Sequence, residues 1–400
     1  MLSDELQPST PSPDSITFRL LIGLVSFLVA GAAAYYATKA LSQAPGKTIS
    51  RFTVAGETYA IQSRLPTGLQ RADHVAFFDD GDRLAMSCPR YSKITLWNTE
   101  IAPVKIKEVD LQGRPVGLTA LGDRIVVLQR PPGDDRHIKP GFFEVFDRDG
   151  ARVAGPVDVG WDPDQIRIVE RDGKSYALIL LSGSAEGESN RPAPSLIVAS
   201  FDRAAAKFEQ LSQVNFEADG EDPLHFFLVV ETREGKTDSA RALVCFGRKP
   251  GAVWVDWTDP AAARISKRLA WPESAGEPAR YVDDRQAGRI LAISTDGARA
   301  AAFPIDGESP EVAQIASPSN QGKSDSSATE MRFFAIDQEK GLLGRYGTNQ
   351  GILVRLPLRG PYGFGSVRLT DIAVFEGPDG KPKKIAACDR SGGLHWIDAE

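Results

Sequence analysis

A strand–turn–strand–turn–strand unit recurs through most of this chain, and it constrains the fold more than any other feature. Its clearest copy is HVAFFDDGDRLAMSCPRYSKITLWNTE, from His74 to Glu100. An apolar run enters Asp-Asp-Gly-Asp, a second run (Leu-Ala-Met-Ser-Cys) follows, and after another turn a third run closes on Trp97-Asn98. Asp-Gly between alternating apolar runs is a strong hairpin signal, because the turn needs residues that tolerate positive φ. The last copy is DIAVFEGPDGKPKKIAACDRSGGLHWIDAE, from Asp371 to Glu400.

The middle of the chain follows the same template. Hairpin turns fall at Gly122-Asp123, Asp172-Gly173, Glu234-Gly235, Ala287-Gly288 and Lys340-Gly341. Second strands start near Ile125, Tyr176, Ala242, Ile290 and Leu342. Third strands end on a bulky residue before a short polar one or Pro: Trp97, Phe146, Phe201, Trp257, Ile305, Leu356 and Ile397. These tips lie roughly 40 to 56 residues apart, close to the period of four-stranded propeller blades. Most are followed by one more strand-like run, such as Val104 to Leu111 or Ala263 to Trp271. Four antiparallel strands in each of about seven units predict an all-β fold, a seven-bladed β-propeller, whose radial packing hides most strand edges. No 3.6-residue period supports an α-solenoid.

DDGDRLAMSCPRYSKITLWN and IAACDRSGGLHWID resemble blades of the YVTN/WD40-like β-propeller superfamily. In those blades a second strand leads through a Ser/Asp/Gly turn to a third strand ending in Trp-Asp or an equivalent. The resemblance runs from about Ser50 to Glu400, clearly in the first and last units and loosely between them. It implies a rigid disc with a central channel lined by the first strands. The last unit lacks a fourth strand, and Ile49 to Gln62 has no partner in its own part of the chain. That run is expected to close the ring by joining the last blade.

The N-terminal region reads differently. Between Arg19 and Lys39 there is no charge, a length that can cross a hydrocarbon core as a helix. An acidic tail (Asp4, Glu5, Asp14) precedes it, whereas a cleaved signal peptide carries positive charge there. The expected organisation is a tail over 1–18, a transmembrane helix or uncleaved signal anchor over 19–39, a linker over 40–48 and a propeller over 49–400. Membrane attachment would run through residues 20–38, giving a single-pass membrane protein with its domain on either side.

The formal net charge of −6 argues against a general nucleic-acid binder, which needs a basic footprint. Cys88, Cys245 and Cys388 each end a second strand, with no CxxC spacing. They read as buried small hydrophobes, with a reversible Cys88–Cys388 disulfide as the alternative. An acid stands just before the expected first strand in five units: Asp73, Asp164, Asp222, Glu330 and Asp371. These carboxylates could ring one mouth of the channel and receive a cation or basic peptide, or could accept backbone N–H bonds where the chain turns inward. His74 and His225 follow Asp73 and Asp222 closely, and imidazole with carboxylate suits zinc or manganese. The competing reading is a histidine hydrogen-bonded at a strand end. His137 sits in a polar loop, and His395 lies in the final strand.

There is no P-loop, GxSxG, HExxH or EF-hand loop, so no catalytic residue and no cofactor is called for. The reading is a monomeric, membrane-anchored propeller that binds or scaffolds a protein or peptide partner. Its contact surface would include the insertions Ser182 to Ser195, Arg130 to Gly141 and Ser317 to Glu330. The alternative class is a propeller enzyme, a metal-dependent lactonase or a quinoprotein, working in the central channel.

Overall fold

The computed structural model describes residues 48–54, 57–62, 65–133, 139–182, 193–202, 207–216, 228–233, 239–246, 251–272, 274, 278–284, 289–294, 299–304, 310–314, 330–337, 342–347, 369–378 and 382–400. These residues form β-strands joined by turns and single 3-10 turns. Three strands open the chain: β1 (Thr48–Val54), β2 (Glu57–Gln62) and β3 (Leu65–Pro66). The first sheet follows as β4 (Val75–Phe78), β5 (Arg83–Cys88), β6 (Lys93–Asn98) and β7 (Val104–Asp110). The second holds β8 (Arg114–Leu121), β9 (Arg124–Arg130), β10 (Gly141–Phe146) and β11 (Arg152–Gly160). The third holds β12 (Pro163–Arg171), β13 (Lys174–Leu181), β14 (Ser195–Asp202) and β15 (Lys207–Asn215). The fourth holds β16 (Leu228–Arg233), β17 (Ser239–Phe246), β18 (Gly251–Asp256) and β19 (Arg264–Ala270). The fifth holds β20 (Pro278–Asp284), β21 (Arg289–Ser294), β22 (Arg299–Pro304) and β23 (Glu311–Gln314). The sixth pairs β24 (Glu330–Asp337) with β25 (Leu342–Gly347), and the last contains β26 (Leu369–Glu376), β27 (Pro382–Asp389) and β28 (Gly393–Ala399).

Each of the first five sheets is an antiparallel meander of four sequential strands, the arrangement that tight hairpin turns favour. The opening strands of successive sheets pack side by side, as β26 on β4, β4 on β8, β8 on β12 and β12 on β16. On the other flank β20 meets β24 and β24 meets β26.

The core lies between sheets, and β13 shows why. Its run Tyr176-Ala-Leu-Ile-Leu-Leu is apolar at every position. Ala177, Ile179 and Leu181 join Val126, Leu128, Phe143 and Val145 of the second sheet. Leu178 and Leu180 point the other way, to Ala242, Val244, Val253 and Trp257 at the fourth sheet. Successive side chains alternate faces, so a continuous apolar run identifies a strand covered on both sides. The first sheet behaves alike: Ile94, Leu96 and Phe78 meet Leu118, Ile125 and Phe146, while Leu84, Met86 and Trp97 meet Ala386, Leu394 and Trp396 of the last sheet. In the first four sheets the pairing with the outermost strand carries a register shift. Such bulges twist an edge away from stray pairing.

The last sheet is composite. β2 pairs antiparallel with β28, Tyr59 facing Ala399 and Ile61 facing Ile397. β3 pairs with the start of the same strand, and β1 pairs with β2 on the outside. The N-terminal segment thus joins the last sheet, as the bare edge of β28 predicts. It does so as a hairpin and a short strand rather than as one closing strand, and β1 becomes the new edge.

The expectation of single-pass membrane localisation is corrected. Among the described residues no helix is long and apolar enough to cross a membrane, and every regular element is a strand or a single 3-10 turn. Residues 19–39, which suggested the span, lie outside the described residues, as do the 1–18 tail and residues 40–47.

Candidate functional site

The opening strands of the first, third and last sheets bring three of the five acids to one region. Entry into β4 is set by backbone bonds across the hairpin: Asp73 N donates to Ser87 O at 3.1 Å and Ser87 N to His74 O at 2.9 Å. The Ser87 hydroxyl accepts the His74 N–H at 3.0 Å. This ladder fixes Asp73 and His74 at the entry to β4.

Asp371 approaches from β26. Its Oδ2 accepts the Val75 N–H at 3.1 Å and lies 3.6 Å from His74 Nδ1. Its Oδ1 accepts the neighbouring Ile372 N–H at 2.9 Å. The Thr370 hydroxyl donates to Ala72 O at 2.6 Å. Asp371 is therefore the third residue of its strand rather than a residue ahead of it, and its carboxylate does accept backbone N–H bonds. Both it and His74 remain partly open, with side-chain exposures of 27% and 37%.

Asp164 is the second residue of β12. Arg130, the last residue of β9, reaches it at 3.3 Å, donates to Pro163 O at 3.0 Å and lies 3.7 Å from Asp162. Sequence reasoning did not single out Arg130 or Asp162; the signal available was the Asp162-Pro163-Asp164 run facing the end of an apolar strand.

Electrostatics ties these groups together. Burial pulls the His74 pKa down, but the nearby Asp371 carboxylate, with the charges of Asp73 and Asp164, outweighs it and leaves the value raised. Burial pushes the Cys88 thiol up to about 12, with Glu108 and Asp73 adding to the effect. Burial likewise holds Cys388 well above the ordinary thiol range, reinforced by Asp371. Both cysteines are free and buried, so the small-hydrophobe reading holds for them and the Cys88–Cys388 disulfide is absent. The arrangement can attract a cationic group and can take up a proton at His74.

Of the other expected residues, Glu330 opens β24 with only its backbone described. Asp222, His225 and His137 lie outside the described residues, as does most of each of the two longer insertions. Among the described residues no three His, Cys, Asp or Glu side chains converge as a metal site. His395 is buried, its Nε2 2.8 Å from Asp389 Oδ2. Asp389 Oδ1 also accepts the Ser391 and Gly393 N–H groups.

No protein-family model matches this sequence, and no curated protein matches it. Solved structures do. The selenomethionine-substituted virginiamycin B lyase from Staphylococcus aureus aligns with a TM-score of 0.54 at 11% identity, covering 85% of this chain and 99% of that one. BBS1N, solved in complex with ARL6DN, aligns with a TM-score of 0.52 at 11% identity, covering 86% of this chain and 97% of that one. Both are β-propeller-type proteins. At such identity the likeness bears on fold alone: this chain folds as β-propeller-type proteins do.

Proposed function

We propose that this chain is a monomeric seven-bladed β-propeller that binds a protein or peptide partner. A basic stretch of the partner enters the mouth bordered by Asp73, Asp164, Asp222, Glu330 and Asp371. The observation that carries the reading is that Asp371 lies 3.6 Å from the partly open His74 ring, with the charges of Asp73 and Asp164 adding to its pull. A local excess of carboxylates concentrates cationic ligands near it. Seven sheets among the described residues support the blade count. BBS1N was itself solved with a protein bound, which supports a binding role for a disc of this kind. The insertions at 182–195, 130–141 and 317–330 supply the rim of the contact surface in this reading.

The test is fluorescence anisotropy of the intact chain with a labelled Lys/Arg-rich peptide and an acidic control peptide. The basic peptide should bind preferentially and weaken with salt, and the Asp73→Asn/Asp164→Asn double variant should weaken it by about fivefold or more. Equal binding of both peptides, or an unchanged affinity in the double variant, would overturn the proposal.

A further inference from the structure

The junction between the first and last sheets carries a protonatable pair where their opening strands meet. His74 leads into β4 and Asp371 stands in β26, with Nδ1 and Oδ2 3.6 Å apart. The same oxygen accepts the Val75 N–H, so one carboxylate serves both the backbone and the ring of the opposing strand. The Thr370–Ala72 bond fixes the separation of the strands just beside it.

We infer that this junction responds to protons: with His74 as imidazolium, Asp371 grips both the ring and the Val75 amide, and with His74 neutral that grip weakens. The inference rests on the junction's geometry and holds whether or not a peptide binds at the mouth.

The groups around His74 favour the charged ring. Asp73 precedes it and Asp164 acts from β12, where Arg130 and Asp162 are its partners. The neighbouring elements add little opposing charge. Cys88 ends β5 and Cys388 ends β27, and both stay neutral thiols because burial raises them. Asp389 beside Cys388 is engaged by His395. Arg114 opens β8 and Glu330 opens β24. Asp371, 3.6 Å away, is the largest source of the upward pull that overcomes burial. A histidine that binds its proton more tightly when folded adds stability that is complete below its unfolded value, near 6.5. That stability disappears as pH rises through the higher folded value. Tightening on mild acidification is the consequence, in a range where ordinary carboxylates stay ionised.

Hydrogen exchange of the intact chain in the presence of EDTA tests this at about pH 6 and about pH 8.5, which straddle histidine titration. Protection of the Val75 amide, corrected for intrinsic exchange and referenced to β13 amides, should fall at least about twofold between the two. His74→Gln should remove that dependence and leave β13 unchanged. Equal Val75 protection at both pH values, or a dependence that persists in His74→Gln, would overturn the inference. Should the variant fail to fold, an NMR titration of the wild-type ring decides: a midpoint above 6.5 shared by the Val75 amide supports it, and a midpoint at or below 6.5 refutes it.

Discussion

The third sheet and the last sheet solve the same problem with different material. The third is contiguous, β12 to β15, and its two faces are filled by apolar side chains that meet the neighbouring sheets. The last is assembled from both ends of the described chain, and polar contacts crowd its joint. Thr67 donates from both its backbone and its hydroxyl to Gly392 O. Arg71 N donates to Arg390 O, and Glu400 N to Thr58 O. Gln62 donates to the Asp398 carboxylate at 2.6 Å.

The difference concerns register more than affinity. In a contiguous meander each turn fixes which residue faces which, so the apolar faces need only fill space. Joining distant segments costs an entropy that grows only with the logarithm of their separation. No turn dictates their alignment, however, and a slip of one residue would exchange the two faces of β2. Directional bonds supply the missing specification. The Asp389 carboxylate shapes the 389–393 turn through Ser391, Gly393 and His395. The N-terminal segment then docks on that shaped turn.

The sharpest way to break the comparison is to remove the segment. Deleting residues 48–62 takes away buried Tyr59 and Ala60 and bares most of the β28 edge. We expect a loss of about 5 kcal/mol or more and a melting temperature lower by roughly 10 °C, read by calorimetry. An unchanged cooperative transition would mean that the last sheet stands without it.

Two glycines in left-handed conformations give a finer contrast. Gly392 has φ +78, and a Cβ there would come within 1.5 Å of Leu69 O, so the docked segment would have to move. Gly392→Ala should cost about 3 kcal/mol. Gly173, in the hairpin between β12 and β13, has φ +69 and nothing within 4 Å of such a Cβ. Gly173→Ala should cost about 1 kcal/mol, the local strain alone. Equal losses in chemical denaturation would show that the docked segment adds no constraint.

Much of this was legible in the sequence. Asp-Gly turns between apolar runs located the strands, because hairpin φ and burial on both faces leave few residue choices. Asp73, Asp164 and Asp371 stood out in the sequence as acids near strand entries, and the structure brings their charges to bear on His74. What a linear reading missed was pairing at a distance. His74 and Asp371 each look like an ordinary strand-end residue, and only closure of the sheets sets one against the other. The run Ile49 to Gln62 was read as one strand, although Gly56 in its middle was a turn signal; the structure makes it the hairpin β1–β2. Residues 20–38, which carry no charge, suggested a span, and they lie outside the described residues.

Closure of the last sheet by the N-terminal segment is tested most directly by a pair of cysteines at Ala60 and Asp398, which face each other across β2 and β28. Facing residues of antiparallel strands lie within disulfide reach, about 4.5 to 5.5 Å between Cα atoms. Oxidation of the native Ala60→Cys/Asp398→Cys variant should give one intramolecular disulfide in a monomer, confirmed by peptide mass mapping. No disulfide from the native state, or a disulfide that joins two chains, would contradict the closure.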